Sequence, residues 1–176
     1  MDTVMNLAQL AAGDDPQTVE SNFDTAAYNF WARFGVAMCM FLSNAGCAYG
    51  TMKSGIGIAS LSVTRPQMAF KAIIPVVMAG ILSIYGLIIS LICTTNIKTS
   101  YDNQYTCWMY LGAGLTTGLS NLASGYTIGI VGEQGTVMYG VNDKIYLGLI
   151  LVLIFAEVLG LYGMIGGILI ALSGGS

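Results

Sequence analysis

The residue with the clearest chemical potential is Glu157, the only acidic or basic side chain after Lys144. About a dozen apolar positions precede it and a similar number follow, so at 1.5 Å per helical residue it lies roughly 18 Å from either end of that stretch. That depth is close to the middle of a bilayer whose hydrocarbon core is about 30 Å thick. An ionised carboxylate there costs about 2.5–3.5 kcal/mol even on the lenient insertion scale, so the neutral acid is the form expected at rest. Such a group can take a proton from one aqueous route, cross hydrocarbon uncharged, and release the proton where a positive partner favours the carboxylate. The competing reading is plainer: a glutamic acid hydrogen-bonded to a neighbouring helix as packing glue. Tyr85 and Tyr162 each fall about one helix turn beyond Gly80 and Glu157, and their hydroxyls are candidates for reaching the carboxyl or for simple packing.

Other chemistries find no residues to carry them. Cys39, Cys47, Cys93 and Cys107 show neither metal-ligand spacing nor a CxxC pair and read as small apolar side chains. A disulfide between Cys93 and Cys107, which fall on the same expected side of the membrane, is the lesser reading. The sequence has no histidine, no phosphate-binding G-x-x-x-x-G-K-[ST] loop and no Ser/His/Asp set, so this chain is not expected to hydrolyse ATP or to hold a metal or cofactor. Glu133 and Asp143 read as solvated residues or docking contacts. Asp2, Asp14, Asp15, Glu20 and Asp24 all precede the first basic residue, Arg33, and no basic arm is available for nucleic acid.

The elements that must position Glu157 follow from composition. The chain is 55% hydrophobic and 9% charged over 176 residues, where a soluble domain carries about 25% charged residues. Long uncharged runs separate short charged clusters, and four of them, 30–52, 68–93, 108–131 and 145–172, reach the ~20 residues a spanning helix needs. Residues 1–28 form a polar acidic extension with a short amphipathic turn expected at 4–10. The first hairpin is 29–95, a non-cytosolic loop covers 96–107, and the second hairpin is 108–173. Lys53, Arg65, Lys71 and Lys144 lie by the 1–2 and 3–4 connections, against Arg33 and Lys98 on the other side. The positive-inside rule then places both connections in the cytosol and both termini outside it.

The two hairpins are copies. A shift of 77 positions lays Ala79-Gly80-Ile81-Leu82-Ser83-Ile84-Tyr85-Gly86-Leu87 on Ala156-Glu157-Val158-Leu159-Gly160-Leu161-Tyr162-Gly163-Met164. Gly80 therefore holds the repeat position of Glu157. The first and third helices match more loosely through Gly46-Gly50-Ser54 and Asn121-Gly125-Gly129. A parallel repeat of one hairpin suits a ring. Apolar burial drives little association in lipid, where close backbone approach through small residues does the work. Rows of them occur in every helix, including Ala79, Ser83, Gly86 and Ser90 in the second and Ala156, Gly160, Gly163 and Gly167 in the fourth. Pro75 is expected to kink the second helix or to be a tolerated membrane proline.

Several runs carry a resemblance: Lys53-Ser54-Gly55-Ile56-Gly57-Ile58-Ala59, the stretch 74–87, Ser124-Gly125-Tyr126, and the stretch 153–164 around Glu157. Across residues 33–172 the chain resembles the proteolipid c-subunits (16 kDa type) of eukaryotic vacuolar-type proton ATPases. The resemblance implies an all-α membrane protein of four transmembrane helices in two duplicated hairpins, several copies or paralogues of which close into a rotor ring. It places the family's essential carboxylate on Glu157. It also implies partners: a static membrane subunit whose arginine discharges each carboxylate, central-stalk subunits at the cytosolic loops, and membrane lipid. ATP hydrolysis in the peripheral sector would turn the ring and drive protons from cytosol into a vacuole or other acidic endomembrane compartment. Sodium-carrying relatives of the family place a Thr-Gln pair where this chain has Ile81 and Leu82, neither with a side-chain oxygen. The proton is therefore the expected ion. A four-helix channel and a purely structural tetraspan are the alternatives from other classes.

Overall fold

A computed structural model of the chain describes residues 16–97 and 104–174, with side chains from 26 in the first segment and from 105 in the second. The expected turn at 4–10 lies outside the described residues. Among the described residues there are four helices, α1 (Pro16–Thr64), α2 (Ile74–Asn96), α3 (Gln104–Val141) and α4 (Ile145–Gly174), with two short 3₁₀ turns, Pro66–Met68 and Lys71–Ile73, joining α1 to α2. No strand occurs among the described residues. The α1–α3 contact is the most extensive; α2 packs on α1, α4 packs on α3, and α2 also meets α4.

The helices outrun the apolar segments that predict them. The first and third segments end at Met52 and Val131, yet α1 continues to Thr64 and α3 to Val141. Lys53 and Glu133, which look like loop markers in the sequence, sit inside these helices and pair with each other at 3.1 Å. Past that ion pair, Leu61 of α1, Ala72 and Tyr139 of α3 form a buried cluster that keeps both extensions packed. α1 stops where Arg65 turns to φ −143° and ψ 82°, as the residue before a proline must leave the helical region. α3 stops at Asn142, whose side-chain oxygen accepts from the Lys144 amide at 3.1 Å and turns the chain tightly into α4. Pro75 is in the first turn of α2, where its missing N–H would have had no helical partner. It starts the helix and does not kink it.

The small-residue rows interdigitate. A Cβ on Gly46 would lie 2.6 Å from the Asn121 carbonyl oxygen and 2.8 Å from the Leu122 Cα, and one on Gly125 would overlap the Gly46 carbonyl. Gly35 and Gly114 repeat this backbone-to-backbone contact nearer the other end of the pair. In α2, Gly86 faces Ser43 and Cys39 of α1, while Gly160, Gly163 and Gly167 of α4 face Asn121, Ser120 and Thr117 of α3.

Lys71–Asn96 and Ile145–Gly174 are long and apolar enough to cross a membrane by length and composition. α1 and α3, whose contact faces are rich in Gly, Ser, Thr and Asn, do not reach that hydropathy. Their ends carry other markers of membrane depth. Trp31 and Trp108 stack at 5.8 Å, with Phe30 and Phe34 beside Trp31, as aromatic residues gather at a lipid–water boundary. From Trp31 to the charged pair at Lys53, α1 rises about 33 Å, close to the thickness of the hydrocarbon layer.

Candidate functional site

Glu157 is half-buried on α4, and the Tyr85 hydroxyl of α2 donates to its Oε1 at 3.4 Å. Their meeting follows from the packing of α2 on α4, where Ala79 and Leu82 of α2 join Leu153 and Ala156 of α4 in a buried cluster with Tyr85 against it. On either side of Glu157, α3 reaches the α4 backbone. Ser124 donates to the Ala156 carbonyl and Ser120 to the Leu159 carbonyl, each at 2.6 Å, and Thr117 reaches the Gly163 carbonyl at 3.1 Å. Ser124 lies about 14 Å along α3 from the Glu133 level and about 24 Å from the Trp108 level. The carboxylate is thus inside the apolar layer but nearer its Lys53–Glu133 border than the sequence alone suggests.

The exposed face of α4 is apolar. Phe155 and Leu159 are 67% and 52% exposed, and with Thr127 and Tyr162 they border a shallow groove on the α3 side of α4, on the opposite flank of that helix from the Tyr85–Glu157 contact. The ion pairs found among the described residues are Lys53–Glu133 and Arg65–Asp143, at 3.1 and 3.5 Å. Glu133 and Asp143, read from the sequence as solvated residues or docking contacts, each tie one helix or loop to another within the chain, whereas Glu157 faces a neutral phenol.

The two tyrosines of the repeat part company. Tyr85 reaches the carboxyl; Tyr162 is 65% exposed and makes no hydrogen bond to it. Gly80, at the repeat position of Glu157, has open space where a side chain would project. The polar residues nearby have other partners. Ser83 donates to the Asn44 side-chain oxygen at 2.6 Å, and the buried Asn121 amide donates to Ser43 Oγ at 2.9 Å and to the Leu82 carbonyl at 3.3 Å. Leu82 is fully buried. All four cysteines are free, and Cys93 and Cys107 share a buried cluster as reduced apolar side chains. No group of metal-binding side chains occurs among the described residues.

Sequence reasoning did not find the hydroxyls of Thr117 and Ser120 or the Ser43–Asn121 bond. A signal for the first two was present: Thr117, Ser120 and Ser124 follow a 3-4 spacing on α3, which places them on one helix face toward the glycine row of α4.

The family profile of the ATP synthase C-subunit matches this chain twice, over residues 34–93 and 111–170. The chain is 48% identical over 143 residues to the V-type proton ATPase 16 kDa proteolipid c-subunit of Ovis aries, which covers 81% of this chain and 92% of the relative. The same-named protein of Homo sapiens is 47% identical over 143 residues with the same coverage. The V-type proton ATPase c-subunit of Candida tropicalis is 46% identical over 141 residues, 80% of this chain and 88% of that one. The two matched copies correspond to the two hairpins, one carrying Gly80 and the other Glu157. This all-helical integral membrane protein belongs to the ATP synthase C-subunit family.

Proposed function

We propose that this chain is a proton-carrying rotor-ring subunit of a vacuolar-type ATPase, with Glu157 as the carrier. The observation that carries this reading is a lone carboxyl in mid-helix, half-buried and bonded to a neutral phenol, on a helix whose exposed residues are apolar. Within the chain its partner is Tyr85, which can donate to the carboxyl but does not compensate its charge. Ionisation then waits for a cation from outside the protomer. The arginine of a static membrane subunit would supply it: the acid meets the guanidinium, loses its proton to the exit route, is carried past as a carboxylate, and is protonated again from the cytosolic route before re-entering lipid.

All four helices cross the membrane in this reading, with copies or paralogues of the chain closing the ring through α2 and α4 faces that remain apolar and exposed. The 65–73 and 142–144 connections face the cytosol and the central stalk, and the protons enter an acidic endomembrane compartment. The twofold match to the family, the pronounced apolarity of α2 and α4, and the Trp31–Trp108 and Lys53–Glu133 borders support it. The test is ATP-driven proton transport by the reconstituted complex carrying Glu157→Gln. The expected result is an assembled ring with transport at background; transport retained at the wild-type rate would overturn the assignment of Glu157.

A further inference from the structure

The hydroxyls of α3 reach α4 at the two carbonyls that bracket Glu157. Ser124 donates to Ala156, immediately before the carboxylate, and Ser120 donates to Leu159, two residues after it, both at 2.6 Å. Thr117 continues the series one turn further, but its hydroxyl is shared between Gly163 at 3.1 Å and its own helix at Ala113, 3.0 Å away. In a regular helix the Ala156 and Leu159 carbonyls already accept from the amides of Gly160 and Gly163, so the serines are added bonds to satisfied groups. They are not required to pair orphaned polar atoms, and their effect is geometric.

Glycine makes the approach possible. A Cβ at Gly163 would collide with Ser120, and one at Gly167 with the Thr117 hydroxyl. The glycine row and the hydroxyl row are thus two halves of one device that sets both the height and the rotation of α4 against α3.

The first hairpin supplies an internal comparison. There the Gly86 carbonyl, the repeat counterpart of Gly163, receives the thiol of Cys39 at 3.7 Å where its copy receives Thr117. The Leu82 carbonyl, counterpart of Leu159, receives Asn121 from the other hairpin at 3.3 Å, against 2.6 Å for Ser120 on Leu159. A thiol is a weak donor beside a hydroxyl. The short bonds to backbone carbonyls occur in the hairpin that carries the carboxylate, and the longer ones occur where the corresponding residue is Gly80; the 2.6 Å bond of the first hairpin, Ser83 to Asn44, joins two side chains and leaves the α2 backbone unheld.

From this contrast we infer that Ser120 and Ser124 are positioning residues: by holding the α4 backbone on both sides of Glu157, they fix the direction in which its carboxyl faces the ring's outer surface. The inference rests on the proposed role of Glu157 as carrier. Tyr85 restrains the carboxyl end of the same side chain from α2. Backbone and side chain are therefore held from two different helices.

The assembled complex carrying Ser120→Ala with Ser124→Ala tests this by two readouts, ATP-driven proton transport and the rate at which a hydrophobic carbodiimide labels Glu157. Transport is expected to fall by about tenfold with the ring intact, since a misplacement of about 1 Å at a reacting group can cost on the order of 10²-fold. The labelling rate is expected to move with it. Ser124→Thr, which keeps the hydroxyl, should hold both closer to the wild type than Ser124→Ala does. Cys39→Ala removes the counterpart bond from the first hairpin and should leave labelling unchanged. If the double variant does not assemble, Ser124→Cys keeps the size and weakens the donor, and must show the same direction of change. Unchanged transport and labelling, an equal loss in the threonine and alanine variants of Ser124, or an equal effect of Cys39→Ala would each overturn the inference. The proposed carrier role fails separately, by wild-type transport in Glu157→Gln.

Discussion

Tyr85 and Glu157 stand 3.4 Å apart across the α2–α4 contact, so a residue of the hairpin without a carboxylate attends the carboxylate of the other. The duplication has not produced two equivalent sites. It has divided one site between two copies, with the phenol contributed by the first and the acid by the second.

Tyr85→Phe should lower proton transport without abolishing it. A neutral hydrogen bond is worth about 0.5–1.5 kcal/mol net, which corresponds to roughly two- to tenfold in an equilibrium, and its length places this one at the weak end. Tyr162→Phe, at an exposed side chain with no bond to Glu157, should leave transport unchanged. Rates of the two variants in reconstituted vesicles decide the matter; equal losses would mean that the phenol–carboxyl contact is irrelevant.

Gly125→Ala should destabilise the protomer, because its Cβ would overlap the Gly46 backbone of α1, which cannot move aside as a side-chain tip can. Overpacking of this kind costs about 1–3 kcal/mol. Gly55→Ala, where nothing lies within 4 Å, serves as the control. Resistance of the assembled complex to heat in mild detergent should fall for the first and hold for the second.

Lys53 is held above the usual lysine pKa by its hydrogen bond to Glu133 and then by that carboxylate's charge. A raised ammonium pKa means that the native state binds this proton more tightly. The contribution is fully present at neutral pH and is lost as pH rises through the raised value. Thermal stability of the detergent-solubilised protein should therefore fall at strongly alkaline pH by more in the wild type than in Lys53→Met. The pair is partly exposed, so the difference should be small and should shrink in high salt; identical alkaline profiles would contradict the linkage.

Sodium should neither be required for transport nor protect Glu157 from carbodiimide. A dehydrated hard cation needs several oxygen ligands, whereas Ser83 and Ser124 are turned to Asn44 and to the Ala156 carbonyl, and the Asn121 side-chain oxygen, which accepts no hydrogen bond, lies against Gly160. The Tyr85 oxygen is the one seen beside the carboxyl. Labelling followed at rising sodium concentration provides the measurement, and protection in the low millimolar range would contradict the proton assignment.

Glu157 and the duplication were legible because each is a strong linear signal: a lone charge in an apolar run, and a nine-residue block that repeats at a fixed shift. Helix ends were less legible. Lys53 and Glu133 read as exits from the membrane when taken singly, and their pairing together with the Leu61–Ala72–Tyr139 cluster beyond it explains why α1 and α3 continue through them. Pro75 has the same sequence neighbours whether it kinks a helix or begins one; the 3₁₀ turn before it decides. Tyr85 and Tyr162 occupy equivalent positions in similar blocks, and facing separates them, which depends on what packs alongside. The bonds of Ser120 and Ser124 were hidden for a related reason: a serine in an apolar helix has the same letter whether it bonds its own turn or a neighbour's.

The open space beside Gly80 has a mechanical consequence on the proposed reading. As the ring turns, the first hairpin of each protomer sweeps past the stator without exchanging an ion, so each revolution moves half as many protons as one carrier per hairpin would allow. The same ATP then drives fewer ions, each with more work available to it. The assembly is built like a low gear, surrendering throughput for the ability to push against a steep gradient.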